Sequence, residues 1–333
     1  MLLFGEVPSH VNAWEEFNRT DLDCESNTKQ PQAPILAADW TKQRHCMVRR
    51  FMEHRCFTLL PDPDCIPPMT RDALFAPFEA IDGDRTRGLV LLADHAGRQL
   101  PQEYGDLGLP AAEFDRHIAY DIGVEAVTRG LAEALDVPAV MAHFSRLLID
   151  PNRGEDDPTL IRQLYDGTIV PANYPMSDDE RQRRLGRYYR PYHDAVGSVI
   201  ASVAGESRQA PFVFSVHSFT PTMQGRPRPW HVGVLWDSDD RAVRPLLDML
   251  ARDPEMVVGD NEPYDGALRG DTMYRHAIVN GYAHALIEIR QDLIATRQGV
   301  DAWVERLVPI LEEINRLPDM HVVKQFGSRT GPI

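Results

Sequence analysis

LVLLADHAGRQLP, residues 89–101, is the stretch on which the reading of this chain turns. Leu89 to Ala93, after Gly88, form an unbroken apolar run, which predicts a strand covered on both faces, because a half-exposed strand would alternate. The run stops at the ionisable pair Asp94-His95, followed by the small pair Ala96-Gly97. In open α/β sheets the carboxyl ends of strands border the crevice that takes ligands, so polar residues there are candidates for chemistry. Taken alone, the stretch also fits a capped strand end with His95 bonded to a loop.

Outward from this strand the pattern is regular. Strand-like runs occur at 88–93, 138–144, 212–216, 231–236, 255–259 and 283–289, and helical patterns at 117–135, 178–204, 239–252, 271–280 and 299–316. Such alternation with short connections predicts an α/β fold: a mixed, mainly parallel central sheet with helices on both faces. Residues 1–70 differ in character, with short apolar clusters separated by proline and polar runs, and read as an irregular or disordered extension. The expected organisation is this extension, a domain over 71–320 and a tail over 321–333.

Composition narrows the function classes. The chain has 333 residues, 43% of them hydrophobic, enough for a large packed core. A net charge of −15 argues against a nucleic-acid partner, since a polyanion is repelled wherever basic residues are not concentrated. The densest basic stretch, RQRRLGRYYRPYH at 181–193, spreads its arginines around a helix behind Asp178, Asp179 and Glu180. No apolar run approaches the roughly 20 residues that span a bilayer, and the start lacks a leader pattern, so no membrane partner and a cytoplasmic location are expected. The four cysteines all fall within the first 65 residues without a C-x2-C pair, which leaves the body free of structural disulfides.

The strand ends carry the chemistry. FVFSVHSFTP, 212–221, repeats the opening design: a buried run, then His217 and Ser218. Two imidazoles and one carboxylate make an open three-ligand zinc site with a position left for water. In AHALIEIRQDL, 283–293, Glu288 is set into an apolar run, and a buried carboxylate needs a partner. The segment HFSRLLIDPNRGEDDP, 143–158, offers Arg146, Asn152 and Arg153, whose planar forks and amide suit a carboxylate ligand. His231 begins a strand and either lines the crevice or caps it; Tyr264, in the turn NEPYDG, is placed to shape a pocket. The remaining histidines, His117, His143, His193, His276 and His284, read as structural or surface residues.

The motifs HAG, SRLLIDPNR, VHSF, NEPY and IEIR, in this order between residues 88 and 316, resemble the N-formylglutamate amidohydrolase family, whose fold is similar to that of zinc carboxypeptidases and aspartoacylases. The resemblance implies that His95 and His217 are metal ligands, that Glu288 is a general base and acid, that Arg146 stabilises an oxyanion, and that Asn152 and Arg153 hold a substrate carboxylate. Carboxypeptidases take a glutamate ligand three residues after the first histidine, but here that residue is Arg98. The family resemblance around HIAYDIGVEA points to Asp121 as the carboxylate ligand, early in a helix, with Asp94 and Asp115 as alternatives. The implied activity is removal of a formyl or small acyl group from an N-acyl amino acid with zinc or another divalent metal. A zinc hydrolase of a different N-acyl amino acid or small amide and a metal-free carboxylate-binding protein are the competing readings; the oligomeric state is open.

Overall fold

The computed structural model describes residues 75–333. The extension expected over residues 1–70 lies outside them. Seven strands form one sheet: β1 (Phe78–Ile81), β2 (Leu89–Ala93), β3 (Ala139–Ala142), β4 (Phe212–Phe219), β5 (Val232–Leu235), β6 (Val258–Asp260) and β7 (His284–Arg290), in the order β1-β3-β2-β4-β7-β5-β6. The pairs β1/β3 and β5/β7 are antiparallel and the other four parallel, which matches the mixed, mainly parallel sheet. The short edge strand β1 was absent from the sequence reading, since FEAI has no marked alternation.

Alternation along β2 divides the core. Leu89, Leu91 and Ala93 face helices α1 (Val124–Leu135), α4 (Val243–Leu250) and α5 (Arg297–Asn315), whose buried residues recur at helical spacing, as in Val124, Val127, Leu131 and Leu135. Val90 and Leu92 face the other layer, where α3 (Arg190–Ser207) contributes Tyr192, Val196, Ile200 and Val203. β2 and β4 are covered on both sides and buried throughout, so the polar residues of β4, Ser215 and His217 among them, are buried too.

Helix α2 (Asp178–Arg184) runs into α3 through a π-helical turn at Leu185–Tyr189. The wide turn falls just before Pro191, which has no N–H to donate to the preceding turn. It leaves Tyr188, Tyr189 and Tyr192 buried, Arg183 and Arg187 exposed, and Arg181 half-buried.

The C-terminal residues are fastened to the body. Arg329 donates to the Asp265 carboxylate and to the carbonyl of Trp236, while Ser328 donates to Asp237.

Candidate active site

His95 and His217 are held at or just past strand ends, and Asp121 in a connection that leads into a helix. His95 follows β2 after Asp94, and the chain passes close to β3 there because Gly97 lies against the backbone of His143; a Cβ at Gly97 would come 2.1 Å from that carbonyl oxygen. Asp121 is in the connection before α1, not within a helix, because the chain reaches helical geometry only after Gly123, which has φ +86°. A side chain at Gly123 would collide with the Ile294 carbonyl, 2.4 Å away, so only glycine lets this connection pack and carry Asp121 inward. His217 lies within β4, whose register runs past the apolar FVFSV run, and stands opposite Glu288 of β7. Gly233 of β5 flanks Glu288 on the other side.

These side chains converge. His217 Nδ1 is 2.9 Å and His95 Nδ1 3.4 Å from the same oxygen, Asp121 Oδ2, and the two rings meet edge to face at 5.1 Å. All three residues are buried, and their donor atoms lie within 4.8 Å of one another. His95 Nδ1 is buried without a hydrogen-bond partner, an arrangement that costs free energy unless something accepts its lone pair. Two imidazole nitrogens and a carboxylate oxygen are a donor set suited to a divalent cation, so His95, Asp121 and His217 could hold one.

The far nitrogens of both rings are held by carboxylates. His95 Nε2 is 2.7 Å from Asp150 Oδ1, and His217 Nε2 is 3.1 Å from Asp94 Oδ2. Asp94 also accepts from Thr272 (2.6 Å) and from the Tyr192 hydroxyl (2.8 Å). A carboxylate behind the ring fixes its orientation and leaves the other nitrogen to point at the centre. Asp94, weighed as a ligand in the sequence, is therefore placed behind His217, and Asp115 is exposed and paired with Arg98.

Burial opposes ionisation of Asp94, Asp121 and Asp150, yet the neighbouring histidines, with Arg146 beside Asp121 and Asp150, hold all three carboxyls below their usual range. Arg146 bridges two of them, donating to Asp121 Oδ1 and to Asp150 Oδ2 at 3.1 Å each, while its Nε has no partner. Glu288 is different. It is buried with one carboxyl oxygen unpaired, and burial pushes its carboxyl up to about 7.

A cavity of about 260 Å³ opens over this centre and is lined by His95, Asp121, Arg146, Asn152, Arg153, His217, Tyr264 and Glu288. Arg153 faces it with only a distant carboxylate, Asp150, at 3.9 Å. The Asn152 side-chain oxygen accepts from the Thr272 backbone at 3.1 Å, so its amide donor is the end left for a ligand. Tyr264 accepts from Arg228 at 2.9 Å.

His231 is not brought to this cavity. Its Nδ1 accepts from the Val257 backbone, and it borders a separate surface hollow with Trp303 and Arg306. His231 stands beside the Arg290 end of β7, bonded there through its carbonyl oxygen, but borders the hollow against α5. Conversely, His117 and His284, read as structural or surface residues, do line the cavity. Asp94, Asp150 and Thr272 were missed as supports. The strand-end position of Asp94 and the DPN turn at Asp150 were signals of local structure, with nothing in their spacing to point at a histidine 123 or 55 residues away.

Comparison with known proteins agrees with this architecture. The sequence model of the N-formylglutamate amidohydrolase family matches residues 87–295. A gene product of Agrobacterium tumefaciens is 32% identical, over 73% of this chain and 96% of its own, with a TM-score of 0.68. An N-formylglutamate amidohydrolase from Ralstonia eutropha is 26% identical, over 72% of this chain and 97% of its own, with a TM-score of 0.49. No curated protein matches the chain. A family match spanning both histidines, Asp121 and Glu288, with a relative sharing nearly a third of its residues, places the chain in the N-formylglutamate amidohydrolase family.

Proposed function

We propose that the protein is a metal-dependent amidohydrolase that removes a formyl or other acyl group from an N-acyl amino acid. The observation that carries the reading is the convergence of His95 Nδ1, His217 Nδ1 and Asp121 Oδ2 beside the unpaired carboxyl of Glu288. Family membership supports hydrolysis of an amide bond, and the Ralstonia eutropha relative is described as an N-formylglutamate amidohydrolase.

In this reading His95, Asp121 and His217 hold zinc or another divalent cation, which supplies Lewis acidity to the reacting centre. Asp150 and Asp94 keep the ring nitrogens of both histidines correctly presented. Glu288, whose buried carboxyl keeps one oxygen without a partner, takes a proton from the attacking water and returns it to the departing amine nitrogen. Arg146, fixed between two carboxylates, sets positive charge beside the carbonyl oxygen as that atom becomes anionic. The Arg153 guanidinium and the Asn152 amide bind the substrate carboxylate.

A metal-free carboxylate-binding protein is disfavoured by the same geometry, since it would bury Glu288 Oε2 and His95 Nδ1 to no purpose at a cost in stability. The test is amine release from a panel of N-formyl, N-acetyl and N-succinyl amino acids, with and without chelator. Release from at least one series, abolished by chelator and restored by metal, is expected. Tight binding without release from any member would overturn the reading.

A further inference from the structure

The cavity does not end at the reacting centre. β7 turns His284, Leu286 and Glu288 to the same face, since side chains alternate along a strand. All three line the cavity, which therefore follows β7 inward for about 13 Å, at about 3.3 Å per residue. Beyond Glu288 its walls are Leu235, Met273, Ile278 and Leu286, and its far end carries His284 and Asp237. A formyl group, with one carbon, leaves this inner part empty.

The far end has a defined polarity. His284 is buried, and its Nδ1 is 2.9 Å from the Tyr282 carbonyl oxygen. A carbonyl can only accept, so Nδ1 carries the proton and Nε2 of the neutral ring presents a lone pair. Burial pushes the ring towards that neutral form. Nε2 has no hydrogen-bond partner. Beside it, the Asp237 carboxylate accepts from Ser328 and from the Arg329 backbone.

We infer that this inner lobe is a specificity subsite for an unbranched apolar substituent that ends in a hydrogen-bond donor such as a hydroxyl. The inference rests on the amidohydrolase reading, because the substituent is the part of an N-acyl amino acid that extends from the scissile bond. It belongs either to the amino-acid side chain or to the acyl group, and both are apolar stems with the same donor tip.

The test is calorimetric affinity of the full-length protein for two series, with amine release followed in parallel. One series is N-formylated alanine, norvaline, norleucine and ω-hydroxynorleucine; the other is alanine acylated with formyl, pentanoyl and ω-hydroxypentanoyl groups. In the series whose substituent enters the lobe, each added methylene should tighten binding about threefold to fourfold. The hydroxyl tip should add a further factor of several over the methyl-ended chain. His284→Phe should erase the preference for the hydroxyl while keeping the preference for length. If that variant does not fold, Leu286→Trp should fill the lobe and abolish the length preference. Affinity that is flat with length in both series, or a chain preference without any preference for the hydroxyl, would overturn the inference. Length-dependent binding with no amine release would instead refute the hydrolytic reading and leave the lobe intact.

Discussion

Replacing Asp150 with asparagine isolates what a buried carboxylate does behind the site. Asp150 has no exposed surface and receives His95 Nε2 at 2.7 Å, Arg146 Nη2 at 3.1 Å and the Asn152 backbone at 3.0 Å. Asparagine keeps the shape but removes the charge and turns an NH2 group towards one of two donors. Breaking a buried ion pair by removing one partner costs about 3–5 kcal/mol, and Arg146 keeps Asp121, so we take the lower end, about 3 kcal/mol. For a domain of this size each kcal/mol moves Tm by about 2–4 °C, which gives a fall of about 6–12 °C. The ring of His95 also loses its charged support, for which the expected loss of metal affinity is about 10–100-fold. Thermal unfolding in chelator reads the first effect, and zinc titration of the apoprotein the second. If Asp150→Asn leaves both Tm and metal affinity unchanged, Asp150 neither balances Arg146 nor orients His95.

Three further outcomes follow from the geometry. Glu288→Gln keeps the shape but cannot accept a proton, so kcat on the best substrate should fall by about 10²–10⁴ with metal retained, as kinetics and elemental analysis together would show. Arg153→Ala should raise KM with little change in kcat, by a factor corresponding to about 1.5–3 kcal/mol, whereas His231→Ala, outside the cavity, should leave both unchanged. His193 and His276 stack with their nitrogens 3.0 Å apart, and burial lowers them to about 3 and about 4. Because the folded values lie below the unfolded one of about 6.5, the unfolded chain binds more protons in between, and stability is full above that pH and lost as pH falls towards 4. Urea unfolding at pH 7 and pH 5 should therefore show a smaller loss for His276→Gln than for the wild type, the slope per titrating group being at most about 1.4 kcal/mol per pH unit. An equal loss in both would mean that the pair is not held neutral.

The parts of the fold that local pattern specifies were legible. β2, β4 and β7 announce themselves because strands covered on both faces must be apolar throughout, and the histidine or glutamate that interrupts each run marks where it meets the cavity. The same logic failed at His231, because an ionisable residue at a strand terminus looks the same whichever layer it borders, and here it borders Trp303 and Arg306 of α5. Asp121 lies beside both histidines, but its helix was drawn too long: the pattern from 117 onward is amphipathic, while the left-handed Gly123 delays the helix to Val124. Asp94 and Asp150 were out of reach for a different reason. Their partners are chosen by how β2, β4 and the DPN turn pack, and packing across more than fifty residues leaves no trace in spacing. His284 reads as structural or surface in the sequence, and only the alternation of β7 beside Met273 and Ile278 brings it to a cavity.

The central claim is that His95, Asp121 and His217 hold a catalytic cation, and its most direct test is the metal content of the purified protein beside that of His95→Ala and His217→Ala. After equilibration with zinc and removal of free metal, the account predicts about one ion per chain in the wild type and almost none in either variant, since each removes one of only three protein ligands. Full retention of metal by both variants would contradict it.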